Sequence, residues 1–218
     1  RLTNKTKNVT MIWNNKTKTC DRLFYNIDSA IEIDLSKFDT SEVTSMSFMF
    51  YQCTQLQYIN FGNVNTSSVK SMSYMFNECK SLTSLDLIKF NTSLIENMEL
   101  LFNECSSLKT LNISNFDTSK TYSMFSMFNL CSSLISLDLG NFDTSNVIHM
   151  EKLFSDCHSL VYINLSSFNT FYAYNIESMF TRCYSLISID ISNFYIDGLY
   201  VDHFFRDCTS LKEIKLPN

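Results

Sequence analysis

The sequence holds three glycines, one proline, one tryptophan and three histidines in 218 residues. Each shortage excludes something. Turns cannot rest on Gly and Pro, so they are built from Asn, Asp, Ser and Thr, whose side chains hydrogen-bond local backbone. Charge is also scarce. Seventeen basic and 22 acidic residues leave a net charge of −5, which is no footprint for nucleic acid. No stretch approaches the roughly 18 to 20 apolar residues of a membrane-spanning helix, so no membrane insertion is expected of this segment. His149, His158 and His203 share no motif, and no Ser-His-Asp or Cys-His constellation can be assembled, which points away from an enzyme. Zinc lacks a C-x-x-C pair and calcium lacks an acidic loop motif, so no cofactor is expected.

What is abundant is repetition. From Met75 the chain reads M-F-N-E-C-K-S-L-T-S-L-D-L-I-K-F-N-T-S, and the same string recurs with Met49-Phe50, Leu101-Phe102, Met127-Phe128, Leu153-Phe154 and Met179-Phe180. Cys53, Cys79, Cys105, Cys131, Cys157 and Cys183 are each 26 residues apart, and Cys208 follows after 25. A fixed period of this length is the mark of a stacked repeat array, in which each unit buries its apolar face against its neighbours. The seven cysteines form a ladder, one per turn. Two readings stay open for it. The thiols are buried and reduced, acting as small hydrophobes, or they form disulfides between successive turns, because strands ~4.8 Å apart match the Cα separation a disulfide tolerates.

Each unit has two halves. Leu82, Leu85, Leu87 and Phe90 alternate with Ser84 and Asp86, a strand signal with one face inward. Val69, Met72, Met75, Phe76 and Cys79 fall on one stripe of a helix. Asn65-Thr66-Ser67 before it, and the equivalents Asp39-Thr40, Asn91-Thr92, Asp117-Thr118, Asp143-Thr144 and Asn169-Thr170, supply N-cap oxygens. The expected fold is therefore an α/β solenoid, leucine-rich-repeat-like, with one parallel strand and one short helix per 26-residue turn and about eight turns. Residues 1–19 do not fit the repeat and are expected to be an N-terminal cap anchored by Trp13; residues 20–218 form a single solenoid domain. In its degenerate first unit, Cys20 aligns with Met46 and Ile27 takes the ladder position. The last unit is one residue short somewhere in 195–200. The chain stops on Ile214, Leu216 and Pro217 without a polar cap, so the array is expected to continue or to be covered by another chain.

The string F-D-T-S-x-V-x-x-M-x-x-M-F-x-x-C-x-S-L-x-x-L-D-L-x-x-F resembles the BspA-type 26-residue surface-protein repeat, a relative of the leucine-rich repeats. Phe38–Phe61 and Phe142–Leu165 carry it most clearly, and the resemblance covers about residues 20–216. It implies a secreted or cell-surface solenoid, often an adhesin, without naming a ligand. One departure is plain. Phe90 stands where leucine-rich repeats carry Asn, so the buried Asn ladder gives way to a Phe column of Phe38, Phe90, Phe116, Phe142, Phe168 and Phe194.

Three surfaces are candidates for function. The outward strand position reads Asp34, Asn60, Asp86, Asn112, Asp138, Asn164, Asp190, Lys215. Neighbouring carboxylates would repel, and intervening amides donate to the carboxylates flanking them. The stripe is a satisfied polar ladder or a binding stripe. At the other outward strand position, Tyr58 and Tyr162 are candidates for sugar stacking or protein contact. A third position reads Thr44, Lys70, Glu96, then Tyr122, Ile148 and Tyr174, with Phe171, Tyr172 and Tyr195 nearby. A contiguous apolar patch marks an interface, unless these side chains lie over the adjacent turn. Sequons make Asn4, Asn8, Asn15, Asn65 and Asn91 candidate glycosylation sites, with Asn112 and Asn164 matching the same pattern. The expected function is extracellular or cell-surface recognition of a protein or glycan partner. The competing expectation is a structural subunit that self-associates into fibres through its C-terminal end and the aromatic patch.

Overall fold

The computed structural model describes residues 8–9 and 17–217. It is a parallel β solenoid. The rungs are β1 (Asn8–Val9), β2 (Glu32–Asp34), β3 (Tyr58–Asn60), β4 (Ser84–Asp86), β5 (Thr110–Asn112), β6 (Ser136–Asp138), β7 (Tyr162–Asn164), β8 (Ser188–Asp190) and β9 (Glu213–Lys215). Seven full coils, one fewer than the sequence suggested, separate β2 from β9. Paired residues lie 26 apart, as in Ile33 with Ile59, until Ile189 meets Ile214 at 25. Asn8 and Val9 pair with Glu32 and Ile33 and add a rung before the first coil. Thr19, at the end of the expected cap, already stacks in the repeat by bridging Ser45; residues 1–7 and 10–16, Trp13 included, lie outside the described residues.

The helix expected over residues 69–79 does not form. No described residue is helical. The stripe is nonetheless buried as read: Val69, Met72, Met75, Phe76 and Cys79 are all at most 1% exposed. The backbone between them is a run of tight turns. Amides of Met72, Tyr74, Phe76 and Glu78 donate to the next coil, at Asn97, Glu99, Leu101 and Asn103. The intervening amides of Met75, Asn77 and Cys79 donate three residues back. Each coil bends through two left-handed residues, here Tyr74 at φ 59° and Glu78 at φ 60°. Spacing explains the choice. Phe50, Phe76, Phe102 and Phe128 stack ring on ring on this side, 5.5–5.7 Å per coil. A helix is about 10 Å across and cannot repeat at that distance, whereas a turn chain can donate alternate amides to its neighbour. A stripe at helical spacing fits both conformations.

The expected N-caps are also something else. Asp39, Asn65, Asn91, Asp117, Asp143 and Asn169 each accept the amide two residues on through Oδ1. These are Asx turns, capping a bend and no helix. The threonine beside each is buried, between 0 and 4% exposed. Thr66 Oγ1 donates to Asn91 O (2.9 Å) and accepts from Asn91 N (2.8 Å) in the next coil. Thr92, Thr144 and Thr170 repeat both bonds. This threonine ladder satisfies the loop backbone that an Asn ladder would serve. The Phe column fills space instead: Phe116 and Phe142 stack at 6.4 Å and Phe168 and Phe194 at 6.2 Å.

All eight cysteines are free thiols in this structure. Each ladder thiol also has a donor's role. Cys79 Sγ donates to Phe50 O (3.2 Å), and the same carbonyl accepts the Cys53 amide. The pattern repeats from Cys53 to Cys208. The thiol thus satisfies the second lone pair of a buried carbonyl. Burial pushes the Cys79, Cys105, Cys131 and Cys157 thiols well up, and Cys53 to about 11. Cys208 is half-buried, and its hydrogen bond with Cys183 holds it below the ordinary value. Iodoacetamide at pH 8 is expected to label Cys208 first in the native protein and to reach Cys105 only on unfolding, because the thiolate reacts. Peptide mass spectrometry reads this. Equal labelling of Cys105 and Cys208 would show the thiol column to be open.

Candidate functional site

Two surfaces stand out from the repeat. The first is the strand face. From β2 to β8 the first and third side chains of each rung point outward and the middle one points inward (Leu85, 7%; Ile163, 6%), with Leu111 of β5 partly buried, while in the last rung, β9, Ile214 is 41% exposed. The outward Asp and Asn residues have a structural duty. Ser36, Ile88, Gly140 and Ser192 amides bind Oδ1 of Asp34, Asp86, Asp138 and Asp190, two residues back. Gly62 N binds Asn60 in the same way. These bonds turn the chain off each rung. Gly62 itself needs to be glycine: its φ is +55° and a Cβ would lie 2.4 Å from Ser36 Cα.

The amides do not bridge both flanking carboxylates. Asn112 Nδ2 donates to Asp86 (3.2 Å), Asn164 Nδ2 to Asp138 (2.8 Å), and Lys215 Nζ to Asp190 (2.9 Å). Hydrogen bonds from Ser192 and then Lys215 lower the Asp190 carboxyl to about 2. Each bond joins an Asp rung to the rung after it. Backbone pairing follows the same rhythm. The ladder is bonded as β1–β2–β3, β4–β5, β6–β7 and β8–β9, and it opens between these blocks. Single bridges on the neighbouring side, from Thr19–Ser45 to Asn175–Tyr200, run through every coil without a break. The openings are therefore local to the strand face.

Two of the openings are clefts. The one between β3 and β4 has a volume of 360 Å³ and is lined by Tyr58, Asn60, Gly62, Ser84, Asp86 and Lys89 over a floor that includes Ile59 and Leu85. The one between β7 and β8 has 450 Å³ and is lined by Tyr162, Asn164, Ser188, Asp190, Asn193 and Lys215. Tyr58 and Tyr162, 56% and 57% exposed, thus sit at cleft lips. The Asp–Asn alternation was legible in the sequence; its consequence, a two-coil period in which rungs pair and part, was not.

The second surface is lateral. Tyr122, Ile148 and Tyr174 are exposed, and the Tyr122 hydroxyl accepts from Asn97 Nδ2 in the preceding coil (3.3 Å). Phe171 meets Tyr172 at 5.0 Å and Tyr195 at 5.3 Å, both edge to face. Tyr174 meets Tyr200 at 5.3 Å. A groove of 490 Å³ runs past Asn146, Ile148, Tyr172 and Tyr174. Tyr200 joins the patch because of the one-residue deletion. Leu199 bonds within its coil as Ala173 does, but Tyr200 bridges Asn175 at a separation of 25. The missing residue is the counterpart of Tyr174.

Of the sequon asparagines, Asn65 and Asn91 are exposed on Asx turns, while Asn164 spends its amide on Asp138. Asn8 lies in β1, and Asn4 and Asn15 are outside the described residues. His149 faces Glu151 (3.4 Å), and His158 lies beside Asp156 (3.5 Å) and Tyr184. His203 occupies a left-handed turn position, φ 58°.

No curated protein matches the chain. Among solved structures it is similar to a leucine-rich repeat protein of T. pallidum, at 20% identity over 76% of this chain and 69% of that one, with a TM-score of 0.47. It is similar to a leucine-rich repeat protein from Bacteroides ovatus, at 20% identity over 96% and 68%, TM-score 0.45. It is also similar to a leucine rich cell surface protein from Faecalibacterium prausnitzii, at 18% identity over 91% and 76%, TM-score 0.33. One family model matches twice, over residues 18–134 and 102–215, so that the two matches overlap and take in every complete coil. On that match the chain belongs to the family described as Mycoplasma protein of unknown function, DUF285.

Proposed function

We propose that this chain is a cell-surface recognition module that holds a macromolecular partner against its lateral aromatic patch. The observation that carries the reading is the break in the repeat. Positions that read Ser41-Glu42, Ser67-Ser68 and Ser119-Lys120 in earlier coils read Phe171-Tyr172 here, and both rings are about 60% exposed. Core columns are held by packing, but nothing in the fold calls for exposed rings at this place. Aromatic side chains are enriched where proteins meet. The BspA-type reading of the repeat string supports a surface location. The partner is taken to be a protein or glycan of a neighbouring surface, and the module is taken to act by binding, with no reaction of its own.

The triple variant Tyr122→Ser, Ile148→Ser and Tyr174→Ser tests the patch. All three side chains are at least 42% exposed, so the melting temperature is expected to stay nearly constant while binding of the labelled chain to intact cells is lost. A large fall in melting temperature with unchanged binding would make these residues structural and remove the reading. A second reading fits the same patch: self-association into a filament. Size-exclusion chromatography and negative-stain imaging separate the two, since fibres that the triple variant abolishes favour assembly. Glycans at Asn65 and Asn91 are proposed on their exposed turns, and intact mass before and after deglycosylation checks them.

A further inference from the structure

The strand face opens at three places, between β3 and β4, β5 and β6, and β7 and β8. The first and third carry a tyrosine at the lip and the second carries Thr110. The two tyrosine clefts share a lining: Tyr-Ile-Asn on one rung, then Ser, an aliphatic residue and Asp on the next. In the first cleft the polar groups have capacity to spare, whereas in the second Asn164 Nδ2 is given to Asp138 and Asp190 Oδ2 to Lys215 Nζ. Asn60 accepts from Gly62 N through Oδ1, and its Nδ2 donors have no protein partner among the described residues. Asp86 takes both of its bonds on Oδ1, from Ile88 N and Asn112 Nδ2, which leaves Oδ2 to an incoming group. We propose that these clefts are paired subsites for one neutral, linear glycan lying along the solenoid axis.

Chemistry selects the class. A sugar ring offers an apolar face to a tyrosine ring and hydroxyls that both donate and accept. Carboxylate, amide and serine groups at the rim meet hydroxyls in both roles. Charge in the clefts is nearly balanced, Asp86 with Lys89 in one and Asp190 and Glu213 with Lys215 in the other, on a chain of net charge −5, which favours a neutral glycan over an anionic one. An extended peptide would find rungs of only three residues to pair with. Spacing selects the linear form. The clefts are four coils apart, and at 5.5–5.7 Å per coil that is about 22 Å, close to four strand spacings. Two weak sites on one rigid body gain from a ligand that reaches both.

The proposal rests on the recognition reading and uses a different face of the molecule. Isothermal titration of the full chain with cellohexaose, maltohexaose and chitohexaose tests it. At least one hexasaccharide is expected to bind. Tyr58→Ala and Tyr162→Ala should each weaken it by at least roughly tenfold, the double variant should abolish it, and Thr110→Ala should leave it unchanged. The melting temperature of the double variant should not move. Failure of all three hexasaccharides to bind overturns the proposal, and so does a double variant that binds like the parent. Capture of a sugar-free unfolded polypeptide (carboxymethylated ribonuclease A) at these tyrosines, with no saccharide bound, assigns the clefts to peptide and overturns it too. Cell binding that survives the double variant but not the patch triple leaves the recognition reading standing without the clefts.

Discussion

Phe102→Ala is expected to lower the unfolding free energy by about 4 kcal/mol, in the range for an aromatic ring removed from a sealed core. Phe102 is fully buried, with Phe76 at 5.7 Å on one side and Phe128 at 5.5 Å on the other. Neither neighbour can close the gap, because each is held by its own coil. A second consequence follows from the one-dimensional arrangement. An array is stabilised by contacts between adjacent units, so a hole in a central coil uncouples the two halves. Urea unfolding of Phe102→Ala should therefore show two transitions where the parent shows one. Phe205→Ala is the control. Phe205 is only half-buried and meets Phe180 at 5.7 Å at the C-terminal coil, so the loss should be about half as large and unfolding should stay a single transition. Equal losses at both positions would mean the molecule does not unfold coil by coil.

Thr144→Val is expected to cost about 3 kcal/mol, although it keeps the shape of the side chain. The hydroxyl donates to Asn169 O (2.8 Å) and accepts from Asn169 N (2.7 Å) in the next coil, in a position only 1% exposed. Valine removes both bonds and strands a donor and an acceptor out of reach of water, and each orphaned group costs on the order of 1–3 kcal/mol. Thr144→Ser keeps the hydroxyl and loses a methyl, so it should cost about 1 kcal/mol. Midpoints of urea unfolding for the two variants decide the matter. A valine variant as stable as the serine variant would return Thr144 to the role of an exposed cap, whose loss is worth about 1 kcal/mol.

The threonine ladder also shows how far the sequence could be read. Thr40, Thr66 and Thr92 recur every 26 residues beside an Asx residue, and that pattern is the same for a helix cap and for a clamp on the next coil. Local hydrogen-bond capacity is written in a side chain; which backbone it reaches depends on what stacks above it. The run Val69, Met72, Met75, Phe76 and Cys79 poses the same ambiguity. It states which side chains are inside, and they are, but a helix and a chain of turns bury the same set.

Tyr58 and Tyr162 could be singled out because every other rung carries a polar residue at that place. That they guard openings could not be read, since an opening is a property of two rungs. The aromatic patch was more legible. Its residues break the repeat one after another, and a departure from a strict repeat is visible without coordinates.

By itself the sequence determined the period, the columns of Phe, Met, Leu and Cys, the strand of each coil and the inward face. These follow from translation: residues one period apart must occupy equivalent places, so hydrophobic pattern and repeat length suffice. Only the tertiary structure decided the conformation between the strands, the partners of the buried thiols and threonines, and the pairing of rungs in twos. The physical reason is the distance between coils. At 5.5–5.7 Å the backbone of one coil becomes the hydrogen-bonding surface of the next, and a linear string does not show which groups that contact consumes and which it leaves open.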